Sequence, residues 1–305
     1  MALRPPHQGL FVGLLTLDII YSVERLPQPN EKIVAFDDLV VAGGPATNAA
    51  IAYRHFNRRA TLLAGLGHHP LARQLADDLA GLGVTLVDLT PDSAAPPPVS
   101  SILVTRDGDR AVVSLNAQRQ QAEREAAAYG KSLEKLLSTT GVVLVDGHQM
   151  AVGIAVAQAA QMRRIPVVVD GGSWKPGFDQ LLRHSNYAIC AARFRPPGCA
   201  TLAESAQYLR QLGVDHVAFT QGGDPILYWQ GDRRQEIPVP QIQPVDTLGA
   251  GDIFHGAFCH ALTAVPSGAM EAMDVAVALQ RAASVAASAC THFGPRAWME
   301  DCGPS

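Results

Sequence analysis

Between residues 141 and 223 the chain alternates two kinds of segment. "GVVLVDG", "PVVVDGG", "YAIC" and "HVAFTQGG" are short apolar runs, and "GIAVAQAAQMRR", "FDQLLRH" and "LAESAQYLRQLG" between them are helix-like. The apolar runs do not alternate with polar residues, so both faces of each strand must be buried. Strands of that kind, joined by helices, form a parallel sheet covered on both sides. No all-helical or all-β fold accepts this pattern. A chain of 305 residues with 48% hydrophobic content can bury such a sheet fully. Open sheets of this type bind ligands beyond the carboxyl ends of their strands.

The first third is less regular. "GLFVGLLTLDIIYSVERL" reads as a buried strand that continues into a half-exposed one, with Asp18 at the change. "EKIVAFDDLVVAGG" predicts one or two further strands ending at a Gly43-Gly44 turn, and "PATNAAIAYRHF" predicts a helix. "ATLLAGLG" and "VTLVDL" read as strands flanking the amphipathic helix "HPLARQLADDLAGLG". After a Pro-rich bend, "SSILVTRDGDRAVVSL" is a hairpin around Asp107-Gly108. Its half-polar strands suit a small sheet shared with those before residue 42. "AEREAAAYGKSLEKLL" reads as a helix, "ILYWQGDRRQEIPV" as a closing hairpin, and two helices finish the chain. The expectation is one α/β domain over 1–305. It has a mainly parallel central sheet between helical layers and a small β-sheet lid from excursions at about 16–42 and 98–116.

Several function classes are disfavoured. Net charge is −4 with no long basic run, which argues against a nucleic-acid surface. No apolar stretch approaches the ~20 residues of a membrane span, and the N-terminal apolar run lacks a cleavage-site pattern. Cys190, Cys199, Cys259, Cys290 and Cys302 are scattered and form no CxxC pair, which reads as reduced thiols in the cytoplasm. "GKS" at Gly130–Ser132 is not a P-loop, because Glu125 stands where the first glycine belongs. "GLGHHP" is a broken dinucleotide fingerprint, with Pro70 in place of its third glycine.

The most pointed stretch is "DTLGAGDIFHGAF", Asp246 to Phe258. Gly249, Ala250 and Gly251 let the backbone approach a ligand closely. They stand at the start of a helix, where free N–H groups and the helix dipole attract an anion. Asp252 follows at once. If the anion is a phosphoryl group in transfer, an adjacent carboxylate can take the proton of the attacking hydroxyl, and the reaction needs little else from the protein. Taken alone, the stretch also reads as a Gly-rich helix cap.

It does not stand alone. "DTLGAGDIFHGAF" resembles the C-terminal signature of the ribokinase-like (pfkB) carbohydrate kinases, and "GGPATNAAIAYRHF" resembles their N-terminal signature. "LTLDIIYSVERLPQPNEK" is similar to the segment where their first strand crosses to the lid, and "FTQGG" to their nucleotide loop. The matches fall in family order across nearly the whole chain. The resemblance implies a kinase using ATP and Mg²⁺, with K⁺ in many members. It implies Asp252 as base and Gly249, Ala250 and Gly251 as the anion hole. Asp18, Gly43, Gly44 and Asn48 would hold sugar hydroxyls, and Thr220 and Gly222 would face the nucleotide. Asp246 matches the position that helps bind a monovalent cation. His148 reads equally as a pocket residue or a loop histidine, and Lys175 as a phosphate contact or a surface lysine. Arg106, Arg110 and Arg119 lie near the lid, where they could meet an anionic group on the acceptor or simply solvate the surface.

The chain also departs from the family. The N-x-x-E motif that helps arrange magnesium is missing from "YAICAARFRPPG", and His68-His69 replace the acids common after the "AGLG" turn. The ketohexokinase-like and sulfofructose-kinase-like branches often lack N-x-x-E, and "FGPRAW" leans the same way, towards a ketose-like acceptor. A nucleoside kinase and a non-catalytic sugar or nucleotide sensor are the alternatives. A homodimer through the lid strands is expected, because edge strands invite pairing.

Overall fold

A computed structural model describes residues 8–115, 130–264 and 274–301. The chain begins in the middle of its large sheet. β1 (Gln8–Val12) pairs in parallel with β4 (Arg59–Ala64), which pairs with β5 (Val84–Asp88). On its other side β1 pairs with β8 (Thr140–Val145), followed outward by β9 (Val167–Gly171), β10 (Tyr187–Ala191) and β11 (His216–Gln221), all parallel. The antiparallel hairpin β12 (Asp224–Gln230) and β13 (Arg233–Ile237) closes that edge. The order is β13-β12-β11-β10-β9-β8-β1-β4-β5. The chain therefore reverses its direction of winding between β1 and β8, and the ends of these two strands open onto the crevice where such sheets take ligands.

Helices cover both faces. α1 (Pro45–His55), α2 (Pro70–Gly81), α7 (Ala250–Ala264) and α8 (Val275–Ala289) enclose one core layer with Phe11, Leu62, Leu144 and Phe258. α3 (Gly130–Leu137), α4 (Met150–Met162), α5 (Phe178–Leu182) and α6 (Leu202–Gln211) enclose the other, around Val143, Val169, Phe178 and Phe219. Local chemistry sets the helix starts. Pro45 follows the N-cap Gly44, Thr201 and Glu204 form a capping box on α6, and Asp274 Oδ1 accepts from Ala276 N on α8. A last short helix, α9 (Trp298–Asp301), was not foreseen; it is anchored by buried Trp298. Most of the helix expected at 122–137 lies outside the described residues.

The apparent long first strand divides. Gly13, Leu14 and Leu15 break it, and β2 (Thr16–Val23) leaves for a second sheet of order β3-β2-β6-β7, with β3 (Asp37–Gly43), β6 (Val99–Thr105) and β7 (Arg110–Ser114). Here β2 and β6 are parallel, and the other pairs are antiparallel. Residues 31–36, expected within a strand, carry none. Strand alternation assigns the two faces. The rows Val41–Asp18–Ser100–Ser114, Leu39–Ile20–Ile102–Val112 and Asp37–Ser22–Val104–Arg110 share one face. That face packs through Ile20, Ile102 and Val104 against Leu248 and Phe293, so it is the inner one. No helix of the described residues is long and apolar enough to cross a membrane.

The closest helix contact is α1 against α7. A Cβ added at Gly256 would lie 2.4 Å from Ala49 O and 2.7 Å from Ala52 Cβ. Gly256→Ala must therefore push the helices apart, at a cost of about 1–3 kcal/mol, and thermal unfolding should show a clear fall in Tm. Gly81→Ala, with open space around it, should leave Tm unchanged or raise it.

Candidate active site

The acids of this molecule gather where the apolar strands end. Asp146 directly follows β8 and is buried. Its Oδ2 accepts from the backbone N–H of Leu14 at 2.9 Å and of Ala46 at 3.1 Å, and its Oδ1 from that of His148 at 2.8 Å. One carboxylate thus joins the end of β1, the start of α1 and the loop after β8. A Cβ on Gly13 would sit 2.1 Å from it, so the break between β1 and β2 makes room for this acid.

Asp18 is not at a strand end of the large sheet, where the sequence suggested it. It is the third residue of β2, on the inner face of the small sheet. Thr16 Oγ1 donates to its Oδ1 at 2.5 Å, and burial raises its pKa. Gly43 makes space for it: a Cβ there would meet Asp18 Oδ2 at 1.8 Å. Gly44 has φ +104° and passes so close to Leu14 that a Cβ would lie 2.4 Å from its carbonyl oxygen. The Gly-Gly turn therefore seats the Asp18 carboxylate and starts α1 in consecutive residues. Behind it, Arg296 donates to Asp78 Oδ1 at 2.8 Å and to Ala42 O at 2.7 Å, tying the C-terminal segment to the same turn.

α1 then brings Asn48 to α7. Asn48 Nδ2 donates to Asp252 Oδ2 at 2.8 Å. Gly249, with φ +73°, packs beside this pair. The N–H of Ala250 bonds Thr247 O at 3.3 Å, and that of Ile253 bonds Gly249 O at 2.8 Å. The N–H groups of Gly251 and Asp252 make no backbone bond among the described residues, and Gly251 is exposed. The loop thus presents donors at the positive end of a 15-residue helix. Burial, reinforced by Asp170, pushes the Asp252 pKa up to about 7, against the pull of the Asn48 amide and His255.

Two groups foreseen with divided readings lie beside the same acids. Lys175 Nζ is 3.5 Å from the carbonyl oxygen of Asp146 and over the Phe178 ring, with burial lowering its pKa. His148 is half-buried and likewise shifted down by burial. Asp170, at the end of β9, is buried and its pKa is raised by that burial. On the sequence Asp170 is only a strand-end acid, and Asp146 and His255 carried no role. The signal for both acids is an Asp directly after a run of buried valines and leucines, as in "VVLVD" and "VVVD".

On the other side of Gly251 lies a cleft of about 280 Å³. Thr220 and Gly222 line it with Val239, Ile242 and Phe254, and the small residues of α8 form its far wall. Lys175 is not among its lining residues. Ala250, Gly251 and Thr247 form its inner end, so the N–H-rich loop closes a mainly apolar slot. From the small sheet Arg110 donates to Thr247 Oγ1 at 2.7 Å, whereas Arg106 pairs with Glu24 and covers Phe36 on the outside. Arg119 lies outside the described residues. Asp246 is buried, with Leu248 N donating to its Oδ1 at 2.8 Å and Gly294 N to its Oδ2 at 2.9 Å. Where N-x-x-E is absent, Arg193 Nε donates to Gly172 O at 3.0 Å.

Comparison with known proteins gives a consistent result. The family model described as pfkB family carbohydrate kinase matches residues 8–302. A ribokinase of Bacillus subtilis is 21% identical over 292 residues, covering 94% of each chain. A nucleoside kinase of Methanocaldococcus jannaschii is 23% identical over 257 residues, covering 82% of each. The solved structure of Arabidopsis thaliana ribokinase complexed with ribose and ATP superposes with a TM-score of 0.73 at 23% identity, covering 95% of this chain and 94% of that one.

The raised Asp252 pKa has a stability consequence. The folded state favours the neutral carboxyl, so the stability that this form permits is complete below the ordinary value of 3.8 and is lost as the pH rises through about 7. Asp252→Asn removes the ionisation. Its Tm should exceed that of the unsubstituted protein above pH 8, and the difference should shrink to nothing near pH 4.

Proposed function

The chain belongs to the pfkB family of carbohydrate kinases, and on that footing we propose that it moves the γ-phosphoryl group of ATP to a hydroxyl of a ketose-like sugar or sugar derivative, with Asp252 as base. The observation that carries this reading is the surroundings of one carboxylate. Asn48 holds Oδ2 of Asp252, Oδ1 has no hydrogen bond among the described residues, and the free N–H groups of Gly251 and Asp252 lie at the mouth of the apolar cleft. A binding protein has no use for a carboxylate held near neutrality beside an anion site.

The adenine lies in the apolar cleft against Thr220 and Gly222, with its phosphates running to Gly249–Gly251. Asp18, Gly43, Gly44, Asn48 and His148 hold the sugar, and Lys175 balances the phosphates from the side of Asp146. Oδ1 of Asp252 takes the proton of the acceptor hydroxyl. That oxygen forms a bond to the γ-phosphorus, the bond from phosphorus to the β,γ-bridging oxygen breaks, and ADP leaves. Arg110 holds the small sheet against Thr247, which keeps water from competing with the sugar.

The donor chemistry fits Mg²⁺ that arrives with the nucleotide. Among the described residues no group of three or more His, Cys, Asp or Glu is arranged to hold a metal, and the carboxylates at the phosphoryl site are Asp170 and Asp252. Bound there, Mg²⁺ would neutralise charge on the β- and γ-phosphate oxygens. Asp246 fits K⁺ as a balancing charge, since the bonds to its buried carboxylate come from neutral N–H groups.

The ketose preference rests on the sequence, through the missing N-x-x-E pair. A homodimer through the small sheet is supported by an apolar outer face that includes Val113, 74% exposed, and Val40, with Val34 at 82% beside it. Four free cysteines, Cys190, Cys199, Cys259 and Cys290, suit a reducing cytoplasm.

The deciding experiment measures ATP consumption with Mg²⁺ and K⁺ across ketoses, aldoses, phosphosugars and nucleosides. Turnover is expected on a ketose class, and it should decline as the pH falls below about 7, where Asp252 gains a proton. Asp252→Asn should lower kcat by about 10³-fold with nucleotide Kd preserved, and retained turnover would remove Asp252 from the mechanism. Gly43→Ala displaces the Asp18 carboxylate and should raise the sugar KM by about tenfold or more while the ATP KM holds. Equal loss on both substrates would count against Asp18 as a sugar ligand.

A further inference from the structure

His255 lies one turn beyond Asp252 on α7 and is 4% exposed. Its Nδ1 is 2.6 Å from the carbonyl oxygen of Gly251, and its Nε2 is 3.1 Å from that of Ile189 in β10. Carbonyl oxygens only accept hydrogen bonds. A neutral imidazole has a single N–H, so one of these contacts would set a nitrogen lone pair against an oxygen lone pair. Two N–H groups satisfy both. The balancing charge is in place, because Asp170 Oδ2 lies 3.6 Å from Nδ1.

We infer that His255 is a buried imidazolium paired with Asp170, and that this pair is the positioning element that sets the ionisation of Asp252. The inference rests on the reading of Asp252 as the base and adds a residue to that site. Every charged group around the base enters it. Asp252 is faced by the Asn48 amide from α1, by Asp146 after β8, by Asp170 at the end of β9 and by His255 on its own helix. Asp170 is faced by His255, Asp146, Lys175 and His148. With His255 charged, Asp170 is compensated and repels Asp252 less. With a neutral side chain there, Asp252 meets two carboxylates with less balancing charge and keeps its proton to higher pH. The same ring also holds the Gly251 carbonyl, which fixes the first turn of α7 and the direction of its free N–H groups.

The test has two arms. In the full chain labelled with ¹⁵N-histidine, one ring should remain doubly protonated at pH 8.5, and its signal should vanish in His255→Asn or His255→Gln. A neutral ring at His255 overturns the inference. If neither variant folds, the unsubstituted spectrum still decides, since the absence of any imidazolium at pH 8.5 overturns it equally. In the second arm, pH profiles of kcat/KM are compared. The acid limb should move up by about one pH unit in both variants, with activity lost several-fold at pH 6.5 and largely regained at pH 9. A uniform loss at every pH would mean that His255 only supports the fold, and would overturn the role assigned to it. Asp252→Asn is assayed in parallel. If that variant retains turnover while the ring is doubly protonated, the base assignment fails and the ion pair stands.

Discussion

The site depends on how closely α1 and α7 approach. Gly256 has no side chain, and Ala49 and Ala52 opposite are small, so the helices meet almost backbone to backbone. Only at that distance does Asn48 reach Asp252 with a 2.8 Å hydrogen bond. α1 starts at the Gly43-Gly44 turn that makes room for Asp18, and α7 starts at the loop that ends the apolar cleft. One seam of small residues therefore fixes the distance between the two halves of the site. Were it wider by the size of a methyl group, the amide and the carboxylate would each look for water.

Five buried or half-buried acids crowd one end of the large sheet, and they differ in how fully they are satisfied. Asp146 accepts three backbone N–H bonds and Asp246 accepts two. These are joints that hold loops in register, and their bonds come from N–H groups the local backbone must satisfy in any case. Asp18 takes a single short bond from Thr16. Asp252 receives one amide and feels the charge of Asp170. An acid with its lone pairs filled serves the architecture, and an acid left short of donors is free to exchange a proton. The same cluster thus contains both scaffold and chemistry, sorted by hydrogen-bond count.

Much of the fold was legible in the sequence because it rests on local patterns. The runs "GVVLV", "PVVVD" and "YAIC" have no polar face, which requires a buried parallel sheet, and the strands β8, β9 and β10 lie where those runs are. The break in the first strand was harder to read. Gly13-Leu14-Leu15 is as apolar as its neighbours, and the reason for the break is Asp146, more than a hundred residues away. Asp18 was found as a site candidate but given the wrong support, because periodicity reports faces of a strand and not the sheet it joins. The role of His255 has no local signal at all. It is defined by the oxygens of Gly251 and Ile189 and by Asp170, partners that only the tertiary fold assembles. Motifs identified the loop before α7; long-range pairing supplied its electrical environment.

Asp18, Ser100 and Arg110 belong to the small sheet, while Asp252 and its donor loop belong to the large one. The two sheets share no strand-to-strand hydrogen bonds. Descent with modification can therefore rewrite one without disturbing the other. Substitutions along β2, β6 and β7 alter what is held over the loop and leave the proton-transfer apparatus as it was. A lineage on this scaffold can try new acceptors by drift in a four-stranded patch, and its loss of one substrate need not pass through an inactive ancestor.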